Sequence, residues 1–241
     1  MKIGDNKLFI LSVCLNVVFL LLGTAFVIKK GGVSWVMSKV APTAAEVQKP
    51  PYYFDKTSQF DILPQKEGAI VFVGDSLTDG VEWSELFANS NIINRGINKV
   101  TTQGILEMVS SIADDSPSKI FLMVGTNDLD QSVENETTKN NYKNIIEEIQ
   151  KKSPATKIYI QSMLPINNEL NGSKVSSETI VELNTYLKNL SSDYDNCEFI
   201  DLYPHFQVNG QMNTDYTNDG THLNGQGYLL WKEQIQDFVN G

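Results

Sequence analysis

Cysteine and histidine are both scarce in this chain, which has two of each among its 241 residues. Cys14 lies in an apolar segment and Cys197 opens a predicted β-strand, so we expect no disulfide and infer nothing about the redox compartment. The two histidines, His205 and His222, are too few for a histidine-rich metal centre, and no Cys/His cluster has the spacing of zinc ligands. We therefore expect neither a bound metal nor a cofactor.

Several motifs of other enzyme classes are also missing from the sequence. There is no Gly-x-Ser-x-Gly motif, which argues against an α/β-hydrolase in the strict sense. No Gly-x-Gly-x-x-Gly or Walker-type loop follows the first predicted strand, so a nucleotide site is not expected. The chain also lacks internal repeats, and its length favours one domain preceded by a tail.

Positive charge is concentrated at the start of the chain. The whole protein has a net charge of −10, with +4 in residues 1–50 and −14 in residues 51–241. Such an acidic domain repels nucleic acid and gains nothing from an anionic lipid surface, so neither is expected as its partner. The same charge also fits simple solubility.

One long apolar segment stands out in the N-terminal tail. Leu8–Ile28 contains 21 residues without a charge, and lysines flank it on both sides. A helix of this length spans about 31 Å, which is enough to cross the core of a bilayer. A cleavable signal peptide is the alternative, because the small residues Gly23–Ala25 offer a cleavage site. The apolar run continues beyond them and ends in two lysines, which favours an uncleaved anchor.

These features divide the chain into residues 1–30 as a membrane anchor, 31–67 as a linker and edge-packing segment, and 68–241 as the folded domain. We expect aromatic residues of the linker, Tyr52–Phe54 and Phe60, to pack on the domain edge. The numbers of lysines on the two sides of the apolar segment are similar, so they barely indicate its orientation in the membrane. We expect a single-pass protein of the cell membrane with the domain outside, and the oligomeric state stays open.

The folded domain alternates short apolar runs with amphipathic helical patterns. The helical patterns place apolar residues three and four positions apart, which gives each helix one apolar stripe. This alternation predicts a three-layer α/β/α sandwich with a five-stranded parallel, flavodoxin-like sheet, preceded by one transmembrane helix. The predicted strands are Ile70–Val73, Ile92–Asn94, Ile120–Val124, Ile158–Ser162 and Glu198–Leu202.

Four short segments follow predicted strands or precede the last helix. They are Gly74–Thr78, Asn94–Gly96, Gly125–Asp128 and Asp219–His222. Each alone is an ordinary turn sequence. Because ligands of parallel sheets bind beyond the carboxyl ends of the strands, we expect the first three segments to meet at one edge.

Together these segments contain the parts of a serine nucleophile site. Ser76 needs an imidazole to take its proton, and His222 has Asp219 three residues before it to orient its ring. The backbone N–H groups of Ser76 and Gly96 and the side-chain amide of Asn127 can stabilise an oxyanion. Structural roles are the alternative: Ser76 as a helix N-cap, Asn127 in a turn and His222 as a loop histidine.

In this order the segments resemble the SGNH hydrolases, also called the GDSL esterase/lipase family. The family name gives four residue types, which fall on Ser76, Gly96, Asn127 and His222, and the last block adds Asp219. The resemblance runs from about Gly68 to the C-terminus. It is strongest to the branch of platelet-activating-factor acetylhydrolase catalytic subunits and bacterial sugar O-acetylesterases. Many of that branch have a second glycine and an acid after the second block, where this chain reads Ile97–Val100.

The residues and the resemblance together predict a metal-independent carboxylic ester hydrolase. The resemblance implies a Ser76–His222–Asp219 triad and short acyl substrates, such as acetyl esters of small molecules or surface glycans. Two alternatives are a lipid hydrolase of the lysophospholipase or thioesterase type, and a catalytically silent glycan-binding module. We also expect the Asn-rich loop Met163–Gly172 to reach the site from the same edge of the sheet.

Overall fold

The computed structural model describes residues 12–20, 23–24, 28–29, 49–64 and 66–241. The chain divides into two compact units, Met1–Gln48 and Lys49–Gly241. In the first unit the described residues are helical and exposed. Part of the predicted Leu8–Ile28 span lies outside the described residues. Within the described ranges, no helix is both long enough and apolar enough to cross a membrane.

The second unit alternates strands with helices, as the sequence predicts. In chain order its elements are α1 (Pro51–Ile62), β1 (Ile70–Gly74), α2 (Ser76–Asp79), α3 (Trp83–Leu86), β2 (Ile92–Gly96), α4 (Thr102–Asp114), β3 (Lys119–Met123), α5 (Thr126–Asp130), α6 (Asn135–Lys152), β4 (Lys157–Gln161), α7 (Asn168–Asn171), α8 (Ser177–Ser191), β5 (Cys197–Ile200), α9 (Tyr203–Phe206), β6 (Gln207–Val208), β7 (Gln211–Met212) and α10 (Gly225–Asn240).

The main sheet has five parallel strands in the order β2-β1-β3-β4-β5. This confirms the predicted parallel, flavodoxin-like sheet, with strand ends within two residues of the predicted ones. Strand β3 ends at Met123, one residue before the predicted end, and the cause is a side-chain contact. The Tyr142 hydroxyl of α6 donates to the Val124 carbonyl at 2.6 Å and accepts its N–H at 3.1 Å, so Val124 leaves the ladder.

Helices cover both faces of the sheet, which confirms the three-layer architecture. On one face, alternate strand residues such as Val71, Leu122 and Ile160 pack against α4, α6 and α8. On the other face, aromatic rings join the sheet to α3 and α10. Phe72 of β1 stacks between Phe121 and Trp83, with centroid distances of 4.8 and 4.1 Å. The strands are therefore buried on both sides, as expected for near-continuous apolar runs.

Helix α1 lies within the segment that the sequence predicts as a linker. Pro51 starts it, which is a favoured position because the missing N–H would be unpaired there anyway. Tyr53 is buried and its hydroxyl donates to the Gly104 carbonyl at 3.1 Å, while Phe60 packs against the core. Phe54 instead faces solvent. The helix escaped prediction because three of its four aromatic residues are consecutive, and only Tyr53 and Phe60 have a helical spacing.

Candidate active site

The Gly74–Thr78 segment turns sharply from β1 into α2. Asp75 is the N-cap of α2, and its Oδ1 accepts the Leu77 N–H at 3.0 Å. The proposed alternative of Ser76 as an N-cap is therefore wrong, because Ser76 is the first residue of the helix. Gly74 is needed at the turn: a Cβ there would lie 2.2 Å from both the Met123 carbonyl oxygen and Thr78 Oγ1.

The loop before α10 brings the histidine to Ser76. His222 Nε2 lies 3.0 Å from Ser76 Oγ, and His222 Nδ1 lies 2.7 Å from Asp219 Oδ2. Asp219 Oδ1 also accepts the backbone N–H groups of His222 at 2.7 Å and Thr221 at 2.9 Å. The structure thus joins the three predicted residues in one chain of hydrogen bonds, and the alternative of a simple loop histidine is wrong.

The carboxylate of Asp219 is strongly stabilised in its charged form. Burial raises its pKa, but the hydrogen bonds from the His222 ring and from the backbone N–H groups of Thr221 and His222 outweigh this and lower the pKa to about 2. Asp219 is therefore a carboxylate at neutral pH and can hold a proton on Nδ1, which leaves Nε2 facing Ser76. The site is open to solvent, because the side chains of His222 and Asp219 are 52% and 55% exposed.

Gly96 is the last residue of β2 and pairs with Gly74 of β1. Its N–H, predicted as an oxyanion donor, donates to Asn94 Oδ1 at 2.8 Å. A Cβ on Gly96 would lie 2.3 Å from the Asp79 nitrogen. Glycine is thus required for the backbone of α2 to pack against β2, and the role of its N–H in the oxyanion hole stays a prediction.

Asn127 lies in α5, directly after the strand next to β1. Its Nδ2 donates to the Val100 carbonyl at 2.9 Å, which fixes the orientation of the amide. An amide NH₂ has two hydrogens, so a second donor remains for a ligand. Gly125 precedes it with φ +129, and a Cβ there would lie 2.7 Å from Met163 Sδ. The turn that presents Asn127 therefore needs glycine.

The Asn-rich loop Met163–Gly172 contacts the loop that carries His222. The Asn167 N–H donates to the Gly220 carbonyl at 2.8 Å, and Asn171 Nδ2 donates to Thr221 Oγ1 at 2.6 Å. The Asn167 amide itself donates to the Met212 carbonyl, and the Asn168 amide to the Val175 carbonyl. These amides donate to protein groups, so the Met163–Gly172 loop supports the loop that carries His222.

Sequence reasoning treated Asp75 only as part of a motif, yet its carboxyl group is fully buried behind Ser76. Burial raises its pKa to about 7; the Leu77 N–H lowers it, and the nearby charge of Asp128 raises it further. Among the described residues, Oδ2 has no hydrogen-bond partner. Its burial next to Ser76 depends on the packing of α2 against the sheet, which is a tertiary contact that the sequence does not reveal.

The second histidine, His205, is exposed on α9. No group of three or more His, Cys, Asp or Glu side chains in the described part of the chain could hold a metal ion.

Residues 72–230 match the model of the GDSL-like lipase/acylhydrolase family, which is more than half of the chain. The chain belongs to this family. This is a family of ester hydrolases. The predicted family and the prediction of an ester hydrolase are therefore both confirmed.

Individual relatives agree with this membership. A solved structure from Streptococcus pneumonia, provisionally named a platelet activating factor, is 30% identical with a TM-score of 0.71 and covers 78% of this chain and 92% of its own. A protein from Bacteroides fragilis NCTC 9343, provisionally named an acylhydrolase, has the same fold, with 23% identity, a TM-score of 0.69 and coverage of 80% of this chain and 98% of its own.

One curated relative is longer than this chain. The N-acylneuraminate cytidylyltransferase of Escherichia coli O18:K1:H7 (strain RS218 / NMEC) is 28% identical over 190 residues, which is 77% of this chain and 42% of that protein. The chain therefore spans less than half the length of this relative.

The buried Asp75 predicts a pH-dependent contribution to stability. Its pKa is raised from 3.8 to about 7, so the folded protein keeps a proton that the unfolded chain releases. This stabilisation is fully present below the unfolded pKa and is lost as the pH rises through the folded pKa. The Asp75→Asn variant cannot titrate at this position. The free energy of unfolding of the variant minus that of wild type should therefore increase between about pH 5 and pH 8, measured by urea unfolding. A difference that stays constant over this range would contradict the raised pKa.

Proposed function

We propose that this GDSL-family protein is a serine ester hydrolase that works through an acyl-enzyme. The observation that supports the proposal is the hydrogen-bond chain from Ser76 Oγ through His222 to Asp219. Such a chain activates a hydroxyl that is otherwise a weak nucleophile. A silent binding module has no need of this arrangement, so we do not favour that alternative.

In the first half of the reaction, Ser76 Oγ attacks the ester carbonyl carbon while its proton passes to His222 Nε2. The charged carboxylate of Asp219 stabilises the imidazolium that forms. The oxyanion of the tetrahedral intermediate accepts hydrogen bonds from the Ser76 N–H and the second N–H of the Asn127 amide. The intermediate collapses when His222 protonates the leaving alcohol, and the acyl group stays on Ser76.

In the second half, water replaces the alcohol. His222 Nε2 takes a proton from the water as it attacks the acyl carbon, and the new oxyanion uses the same donors. Collapse of the second intermediate breaks the bond to Ser76 Oγ, which recovers its proton from His222. The carboxylic acid leaves and the free enzyme is restored.

Gly96 would supply a third oxyanion donor if its N–H, which donates to Asn94 Oδ1, formed a bifurcated hydrogen bond. Asn94 also donates through Nδ2 to the carbonyls of Thr78 and Val81, both at 3.0 Å, so its side chain is held in place. We propose that the Gly96 N–H is shared between Asn94 and the oxyanion.

For the substrate we propose short acyl esters, with acetyl groups on glycans first. Two observations favour this choice. The exposed His222 and Asp219 leave the site open to a bulky, hydroxyl-bearing leaving group, and the 28% identical relative is named for a reaction of an N-acylneuraminate, which is a sugar. The family name also covers lipases, which makes a lipid ester hydrolase the second candidate.

Ser76→Ala tests the nucleophile. A fluorophosphonate probe should modify wild type at Ser76, whereas the variant should lose labelling and about 10⁴-fold or more of its rate on p-nitrophenyl acetate. Ser58→Ala, which changes an exposed serine of α1, is the matched control and should label like wild type. Labelling that persists in Ser76→Ala would show that another residue is the nucleophile.

The size of the acyl group separates the two substrate classes. An acetylesterase should lose kcat/KM progressively from acetyl to octanoyl p-nitrophenyl esters, and should cleave O-acetylated sugars faster than phospholipids, because a long chain needs a contiguous apolar groove. Faster turnover of the octanoyl ester would favour the lipid hydrolase instead.

We also propose that Leu8–Ile28 anchors the protein in the cell membrane with the catalytic domain outside. The support is the uncharged length of this segment. Full-length protein should then sediment with membranes and resist carbonate extraction. A mature protein that begins at Phe26 would identify Gly23–Ala25 as a cleavage site for signal peptidase.

A further inference from the structure

Helix α1 binds the carboxylate of Asp79, the last residue of the nucleophile helix α2. The Tyr52 hydroxyl donates to Asp79 Oδ2 at 2.9 Å, and Lys56 Nζ lies 2.9 Å from Asp79 Oδ1. Tyr52 and Lys56 are four residues apart and therefore lie on one face of α1. Each carboxylate oxygen of Asp79 thus has its own partner on the same helix.

The pair formed by Lys56 and Asp79 is shielded from solvent more than an ordinary surface ion pair, while Tyr52 is exposed. The side chains of Lys56 and Asp79 are only 20% and 14% exposed. Burial lowers the pKa of Lys56, but the hydrogen bond and charge of Asp79 outweigh it, so the pKa is raised and the ammonium stays charged. Burial and Asp79 together raise the pKa of Tyr52, which keeps its hydroxyl a donor.

Contacts that do not involve Asp79 hold α1 on the domain. The buried Tyr53 donates to the Gly104 carbonyl in α4. The Phe60 ring packs under the Arg95 guanidinium of β2 at 4.7 Å, and Lys49, just before the helix, forms an ion pair with Glu107 of α4. Helix α1 is therefore a fixed support against which α2 can be held.

Asp79 is coupled to the nucleophile through the backbone of α2. Its N–H donates to the Asp75 carbonyl at 2.9 Å, and the Gly80 N–H donates to the Ser76 carbonyl at 3.0 Å. The Asp79 backbone also packs against Gly96, where a Cβ would lie 2.3 Å from its nitrogen. A displacement of Asp79 would therefore change how the Ser76 turn sits against β2.

We propose that Tyr52 and Lys56 are positioning residues for Ser76 and act through Asp79. This inference rests on the proposed ester hydrolysis. The two residues keep Ser76 Oγ at 3.0 Å from His222 Nε2 without touching the substrate. They lie outside residues 72–230, the part that matches the family model, so they add to this chain's site from a segment beyond that match.

The test compares full-length wild type with the double variant Tyr52→Phe/Lys56→Met. A misplaced nucleophile should lower kcat on p-nitrophenyl acetate by about tenfold, while KM changes by less than about twofold. The single variant Lys56→Arg keeps Tyr52 and the positive charge at position 56, so it should retain most of the wild-type rate.

A matched control removes similar contacts elsewhere. Tyr194→Phe/Lys152→Met deletes a tyrosine–carboxylate contact to Glu147 and a lysine–aspartate pair with Asp114, neither of which involves α2. The control should keep the wild-type kcat. If it loses as much rate as the α1 variant, the effect is one of general stability and the proposal is wrong.

Hydrogen–deuterium exchange gives a readout that does not depend on activity. Amides of Asp79 and Gly80 should exchange about fivefold faster in the α1 double variant and at the wild-type rate in the control. Unchanged exchange, or an unchanged kcat in an active enzyme, would overturn the positioning role and leave the proposed function intact. If wild type lacks esterase activity, the proposed function fails and the exchange rates alone decide whether α1 holds α2.

Discussion

The hydrogen bond between Asp219 and His222, at 2.7 Å, sets the geometry on which the rest of the site depends. Because the same carboxylate accepts two backbone N–H groups of its own loop, the loop and the ring are fixed together. Only one ring nitrogen then remains to face Ser76. The carboxylate is charged at neutral pH for the same reason, since its hydrogen bonds favour the ionised form.

Close backbone contacts form the other half of the site, and they need glycine. At Gly74 and Gly96 a Cβ would lie within 2.3 Å of backbone or Thr78 side-chain atoms, so β1, β2 and α2 approach one another without side chains between them. This closeness lets Asp79 at the end of α2 influence the turn at its start. In the proposed role of α1, its contacts with Asp79 at the far end of α2 then influence the position of Ser76.

The sheet and the grouping of the candidate site residues could be predicted because both leave local signals. Apolar runs mark the buried strands. Ser76 and Asn127 lie in short motifs that follow predicted strands, and His222 lies in a motif before the last helix. What could not be predicted depends on packing between distant segments. The burial of Tyr53, the bond from the Gly96 N–H to Asn94, and the raised pKa of Asp75 all arise from tertiary contacts. The hydrogen bonds that the asparagines of the Met163–Gly172 loop donate to protein groups are also tertiary contacts.

In the proposed mechanism, a bound substrate changes the electrostatics of the exposed pair formed by His222 and Asp219. With about half of each side chain in contact with water, the attraction between imidazolium and carboxylate is weakened by the high dielectric of the solvent. An ester whose leaving group lies over the imidazole displaces that water and strengthens the attraction while the charge develops. A small ester that leaves the imidazole wet does not have this benefit. The shape of the alcohol, as well as the length of the acyl chain, then governs the rate at this site.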